Sequence, residues 1–153
     1  IVSSSCLLEQ LSCEDSLKSQ YMSVIIRDLY ESSTLQPLQS KDDSLFLEWD
    51  WLFAVSRMSS SNMVMGAVGF ERHGDGVYVS YLYVRKHYQG MGIGSNLLSP
   101  IEGKSKRVCL LPENDSARRW YKSRGYRRSK VEDNTWIRES SEQNNYNFSG
   151  VAG

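Results

Sequence analysis

The chain has 153 residues, 40% hydrophobic and 24% charged, with 18 basic residues balanced by 18 acidic ones. That size and composition suit one globular domain with its own core, and the cancelled charge supplies no field for nucleic-acid binding. Cys6, Cys13 and Cys109 fit neither a disulfide framework nor a zinc spacing, which points to a reducing, cytoplasmic setting without a metal; no apolar stretch is long enough for a membrane span.

Ile1, in place of an initiator Met, reads as the start of a processed product or of a segment of something longer. "CLLEQ" reads as a short strand. Ser12 then suits a helix N-cap with Asp15 three residues on, and Leu17, Tyr21, Val24, Ile25 and Leu29 follow at helical spacing to about Tyr30. "ESSTLQPLQSKDDS" is a polar loop containing Pro37, with room for a helical turn before Trp49. Strands follow at "WLFAVSRM", "NMVMGAVGFER" and "VYVSYLYV", separated by "SSS" and "HGDG". The third is apolar on both alternating faces apart from Ser80, as in a central strand covered on both sides. After "YQGMGIGS" comes "SNLLSPIEG", a helix that Pro100 and Gly103 are expected to keep short. "RVCLLP" is a further strand, and "NDSARRWYKSRGY" a helix capped by Asn114 and stopped by Gly125. A hairpin of "YRRSK" and "TWIRES" closes the pattern, and the polar, glycine-rich segment 140–153 is expected to be a disordered tail. The element order predicts an α+β (mixed α/β) fold, one domain over 1–139.

Three glycines between a buried strand and a helix N-terminus offer bare amides and the positive end of a helix dipole, an arrangement that binds anions, most often phosphate. An ATP-type loop needs a Lys that "GSN" lacks. A dinucleotide loop needs a sixth-place glycine where Ser95 or Leu97 stands. Gln89, Gly92 and Gly94 do fit Gln/Arg-x-x-Gly-x-Gly/Ala, and Asn114, Ala117, Tyr121, Gly125 and Tyr126 fit Asn-x-x-Ala-x-x-x-Tyr with Gly-Tyr four residues later. Seven residues are nearly two helical turns, so Asn114 and Tyr121 share a face with small Ala117 between them.

In these two blocks the chain resembles the GNAT superfamily of acetyl-CoA-dependent N-acetyltransferases, over roughly 52–139. The resemblance implies a central mixed, mostly antiparallel sheet flanked by helices. It also implies direct transfer of an acetyl group from acetyl-CoA to a primary amine on a small molecule or peptide. Carried over residue by residue, the coenzyme A site comprises Leu82, Tyr83 and Val84 on the strand, Gln89, Gly90, Met91, Gly92, Ile93, Gly94 and Ser95 in the loop, and Asn114 and Ala117 on the later helix. Tyr121 takes the position of the phenol that meets the departing thiolate.

The attacking amine must also lose a proton. Ser80 stands where many relatives have a Glu, so the candidate base is Glu71, which reads equally as an ordinary solvent-facing carboxylate, with His73 or a water relayed by Ser80 or Tyr81 as alternatives. Glu48, Asp50 and Asp75 are further acidic residues for an amine cleft. Ser80 and the short helix also leave open a catalytically inactive acyl-CoA-binding or interaction module. The run Arg118, Arg119, Lys122, Arg124, Arg127, Arg128 and Lys130 suits a solvated face first, and otherwise the 3′-phosphate of coenzyme A, an acidic substrate or RNA, though no aromatic RNA-binding signature accompanies it.

Overall fold

The computed structural model describes residues 6–11, 16–31, 49–56 and 63–140. In chain order these form β1 (Cys6–Leu11), α1 (Ser16–Glu31), β2 (Asp50–Ser56), β3 (Met63–His73) and β4 (Gly76–Val84). A 3-10 turn (Lys86–Tyr88) leads to α2 (Ile93–Lys104), β5 (Arg107–Leu110), α3 (Asp115–Ser123), β6 (Arg127–Arg128) and β7 (Trp136–Glu139). The strand order is β1-β2-β3-β4-β5-β7-β6. The β1–β2, β2–β3, β5–β7 and β6–β7 pairs are antiparallel. The β4–β5 pair is parallel, because α2 is the crossover between them. This is the mixed α+β fold that the element order predicts and the mostly antiparallel sheet that the resemblance implies. Ser12, the "SSS" turn, a turn ahead of Trp49 and the tail past Ser140 lie outside the described residues.

Contacts divide the chain into two compact units, Ile1–Phe70 with Tyr81–Leu98 and Glu71–Ser80 with Ser99–Gly153. In the first, Tyr21, Met22 and Ile25 of α1 bury against Trp51, Phe53 and Val55 of β2 and Val64 and Ala67 of β3. Helical spacing on one side meets the two-residue period of strands on the other. Leu52 and Ala54, on the opposite face of β2, are buried as well, so this strand is covered on both sides. Trp51 stacks on Phe53 with centroids 5.8 Å apart, and Tyr21 meets Phe53 edge-on at 5.3 Å.

Two glycines of β3 are there for space. A Cβ on Gly69 would sit 2.8 Å from the Trp51 ring. A Cβ on Gly66 would sit 2.7 Å from the Tyr83 carbonyl oxygen, a backbone atom that cannot swing aside. Gly66→Ala is therefore expected to destabilise the protein by about 1–3 kcal/mol, the usual range for overpacking. Thermal denaturation reads this as a fall of roughly 2–4 °C per kcal/mol.

In the second unit the first half of β4 pairs with β5 from Gly76–Arg107 to Val79–Leu110, and β5 continues to β7. One expectation is corrected here. Pro100 does not shorten its helix: α2 runs twelve residues, with Pro100 inside it. Pro removes one backbone hydrogen bond, but Ile93, Leu97, Leu98 and Ile101 are buried at helical spacing on either side of it. Packing of that stripe outweighs the local defect.

Candidate functional site

The first set of site residues lies at the end of β4. Leu82, Tyr83 and Val84 are half-buried, and their strand stops at Val84. The turn beyond it is pinned by side chains on both flanks. Arg85 donates from Nε to Asp28 of α1 at 2.6 Å and from its guanidinium to the Val64 carbonyl at 3.1 Å. Gln89 donates from Nε2 to the Val84 carbonyl at 3.1 Å. Asp28 also accepts from Tyr83; burial, followed by the Asp28 charge, pushes the Tyr83 phenol above its ordinary value.

Gly90 and Gly92 then take φ of +81° and +82°, the left-handed region that side chains rarely enter. At Gly90 conformation, not crowding, selects glycine, since an added Cβ there meets nothing within 4 Å. The Gly92 carbonyl accepts the amide of Asn96 at 3.1 Å, which makes Gly92 the residue from which α2 grows. First-turn amides of a helix have no intrahelical acceptor, so Ile93 and Gly94 stand where such amides are offered. The Ile93 side chain is buried, leaving the backbone as what it presents. Met91 and Gln89 are exposed, and Ser95 is half-buried.

The second set lies on α3. Asn114 has extended φ and ψ of −156° and 178°, and its Oδ1 accepts the Ala117 amide at 2.8 Å. Capping uses the oxygen of that amide side chain, and its NH₂ is the donor that remains for a ligand. One and two turns on come half-buried Ala117 and buried Tyr121. The helix ends where Gly125 turns left-handed at φ +98°.

Tyr121 is held by rings: Trp120 meets it edge-on at 5.0 Å and Tyr126 at 5.3 Å. Burial, then the Glu113 charge, pushes its phenol up to about 12, with Arg124 opposing. Tyr126 donates to Glu102 at 2.9 Å, and burial with that carboxylate pushes its own phenol far upward. Glu102, 7% exposed, also receives both Nε and Nη2 of Arg124, at 3.2 and 2.5 Å. Arg124 in turn lies over the Trp120 ring at 5.2 Å.

A raised phenol links to stability with a definite sign. Below pH 10 Tyr121 is protonated folded and unfolded, and its contribution is fully present; above 10 the unfolded state ionises first, and the contribution is lost by about 12. Two pKa units correspond to about 2–3 kcal/mol. Melting temperature is expected to fall between about pH 10 and 12, and less steeply in Tyr121→Phe.

The expected basic run is divided by the structure. Arg118, Arg119, Lys122, Arg127, Arg128 and Lys130 are exposed, and Arg118 pairs with Asp115. Arg124 does not belong to that face: its side chain is 17% exposed and committed to Glu102. The Glu102–Arg124–Tyr126 cluster and the Arg85–Asp28 pair carry no local sequence signal. Their partners lie 22, 24 and 57 residues apart.

Glu71 and Ser80 are both half-buried, and the Ser80 hydroxyl donates to Glu71 Oε2 at 3.2 Å. His73 is exposed at the end of β3, and Asp75 faces Lys106 at 3.8 Å on the surface. Asp50 is half-buried at the start of β2, while Glu48 lies outside the described residues. Among the described residues no group of His, Cys, Asp and Glu is placed to hold a metal, and no helix is long and apolar enough to cross a membrane.

A mixed sheet whose fourth strand opens through left-handed glycines into a helix N-terminus is an arrangement suited to an anion on backbone amides. The profile of the Acetyltransferase (GNAT) domain matches residues 50–128, just over half of the chain. The chain belongs to the GNAT acetyltransferase family.

Solved structures agree on the fold. An assigned N-acetyltransferase of Lactobacillus plantarum superposes with a TM-score of 0.69 at 14% identity, over 88% of this chain and 98% of that one. The PaiA N-acetyltransferase of Thermoplasma acidophilum, solved with coenzyme A, gives 0.55 at 18%, over 88% and 99%. N-acetylglutamate synthase of Neisseria gonorrhoeae, solved with coenzyme A and N-acetyl-glutamate, gives 0.62 at 15%, over 87% of this chain but 35% of that one. No curated protein sequence matches the chain.

Proposed function

We propose that the protein is an N-acetyltransferase that moves the acetyl group of acetyl-CoA directly onto a primary amine of a small molecule or peptide in the cytoplasm. The observation that carries this reading is the pair of left-handed glycines, Gly90 and Gly92, opening the N-terminus of α2. In the reaction, backbone amides of 89–95 take the pyrophosphate. Backbone groups of Leu82, Tyr83 and Val84 take the acyl-pantetheine arm, and Asn114 and Ala117 flank it. Donors to the thioester oxygen stabilise the charge that builds as the amine attacks. Tyr121, a phenol that stays protonated up to about pH 12, donates to the departing sulfur. Glu71 receives the proton of the ammonium.

Of the two features that suggested an inactive binding module, the helix is not cut by Pro100, which lies inside α2. The other, Ser80, has a carboxylate within hydrogen-bond reach. The test is acetyl-CoA consumption across a panel of primary amines, with thiol release and amine acetylation followed together. Amine-dependent release supports the enzyme. Coenzyme A binding without release for any amine overturns it in favour of the module.

A further inference from the structure

We propose that Ser80 and Glu71 act as one unit, a hydroxyl–carboxylate relay in which Ser80 takes the proton from the acceptor ammonium and passes its own to Glu71. The proposal rests on the N-acetyltransferase reading and deepens it by naming the route the proton takes.

The geometry starts from the hairpin. The turn at Gly74 and Asp75 folds β4 back beside β3, and across it the Ser80 Oγ lies 3.2 Å from Glu71 Oε2. Both residues are half-buried, so the carboxylate is neither sealed in the core nor on a freely solvated tip. Side chains two apart on a strand share a face, which puts Ser80 on the face of β4 that Leu82 and Val84 also use. Ser80 stands at the position where the family pattern carries a Glu. Its hydroxyl is short and cannot hold a proton alone, but it does not need to. A Ser hydroxyl both donates and accepts, and its donated bond is already spent on Glu71. Its lone pairs are what it presents to an incoming ammonium.

The step balances without any other reactant. As one N–H bond of the ammonium breaks, its proton bonds to Ser80 Oγ, and the original hydroxyl proton moves to Glu71 Oε2 in the same event. The amine is left neutral with its lone pair free for the thioester carbon, Ser80 is again a neutral hydroxyl, and no alkoxide forms. Glu71 ends protonated and returns its proton to water after product leaves. Tyr78, two residues before Ser80, also feels the Glu71 charge; burial first, then Cys109 and Glu71, hold its phenol above the ordinary value. It therefore stays protonated beside the carboxylate and does not compete for the proton.

The experiment is a set of four variants of the full chain, Ser80→Ala, Ser80→Thr, Glu71→Gln and the double variant Glu71→Gln with Ser80→Glu. Turnover, KM for acetyl-CoA and melting temperature are measured for each with an amine that the wild type acetylates. Ser80→Ala is expected to lower kcat by about 10–10²-fold and Glu71→Gln by about 10²–10⁴-fold, the range for general-base loss, with KM for acetyl-CoA unchanged. Ser80→Thr keeps the hydroxyl and is expected to retain most of the activity. The double variant places a carboxylate at the other end of the relay and is expected to recover activity relative to Glu71→Gln. A purely structural role would not produce that recovery. The relay is overturned if Ser80→Ala changes kcat by less than about threefold, which lies far below a proton-transfer contribution. It is equally overturned if Glu71→Gln is fully active, or if neither Ser80→Thr nor the double variant recovers turnover. Failure of the wild type on every amine is a different result, which removes the acetyltransferase reading and the relay with it.

Discussion

Tyr121→Phe is expected to lower turnover by on the order of 10²-fold while coenzyme A affinity stays within about twofold, at a pH near 8 where the phenol is protonated. The substitution keeps the ring, and the contacts that hold Tyr121 are ring contacts, to Trp120 at 5.0 Å and Tyr126 at 5.3 Å. Only the hydroxyl disappears. Its chemistry is set by burial, which raises the phenol to about 12. An ordinary thiol titrates near 8.5, so complete proton transfer from this phenol to a free thiolate would be uphill by roughly 5 kcal/mol. In the proposed mechanism Tyr121 is therefore a hydrogen-bond donor whose bond strengthens while charge builds on sulfur. A hydrogen bond to a charged group contributes about 1.5–3 kcal/mol, and a 10²-fold rate loss corresponds to about 2.7 kcal/mol. The two figures agree, and a much larger loss would require a different role. Because the bond exists mainly in the transition state, kcat falls and binding does not. Steady-state turnover and calorimetric coenzyme A binding, on protein of unchanged melting temperature at pH 8, check both halves. Undiminished turnover would remove Tyr121 from the mechanism.

What the sequence made legible is what backbone conformation decides within a few residues. Asn114 caps its helix through Ala117, three residues on, and Gly125 stops that helix, because capping and left-handed termination are local chemistry. The helical spacing of Tyr21 and Ile25 likewise marks the face of α1 that packs on Trp51, Phe53 and Val55. Pro100 shows where local reasoning loses. Its cost is fixed and small in number, one missing donor, whereas the stripe from Ile93 to Ile101 gains from burial all along the helix. Arg124 shows a second limit. In a run of basic residues one guanidinium looks like another, and only the arrival of Glu102 from 22 residues away makes this one a buried anchor. The Glu71–Ser80 contact lies between these cases. Nine residues and a two-residue turn bring them across one hairpin, so the hairpin itself was readable although the bond was not.

Filling Gly92 is expected to weaken coenzyme A binding by about 10²–10⁴-fold, the loss of two charge-assisted hydrogen bonds at roughly 1.5–3 kcal/mol each. The choice of replacement decides what the result means. Gly92 has φ +82°, so a β-branched residue such as Val would strain the backbone and confuse misfolding with blocked access. Asn tolerates the left-handed region better than other side chains, so Gly92→Asn keeps the conformation while placing a side chain where the proposed function puts the pyrophosphate. Gly74→Ala is the control, because its φ of +63° imposes the same kind of strain in a turn outside the loop while its added Cβ meets no atom within 4 Å. If strain alone mattered, the two variants would lose stability and affinity in parallel. If the loop works by close approach of phosphate to bare amides, Gly92→Asn loses affinity far out of proportion to its melting temperature, and the alanine control does not. Calorimetry with coenzyme A and with dephospho-coenzyme A separates the contributions further. The pyrophosphate is common to both ligands, so the Gly92→Asn penalty should be the same for each. A penalty confined to coenzyme A would move the loop's contact to the 3′-phosphate, and an unchanged affinity for both would leave the glycines a purely structural turn.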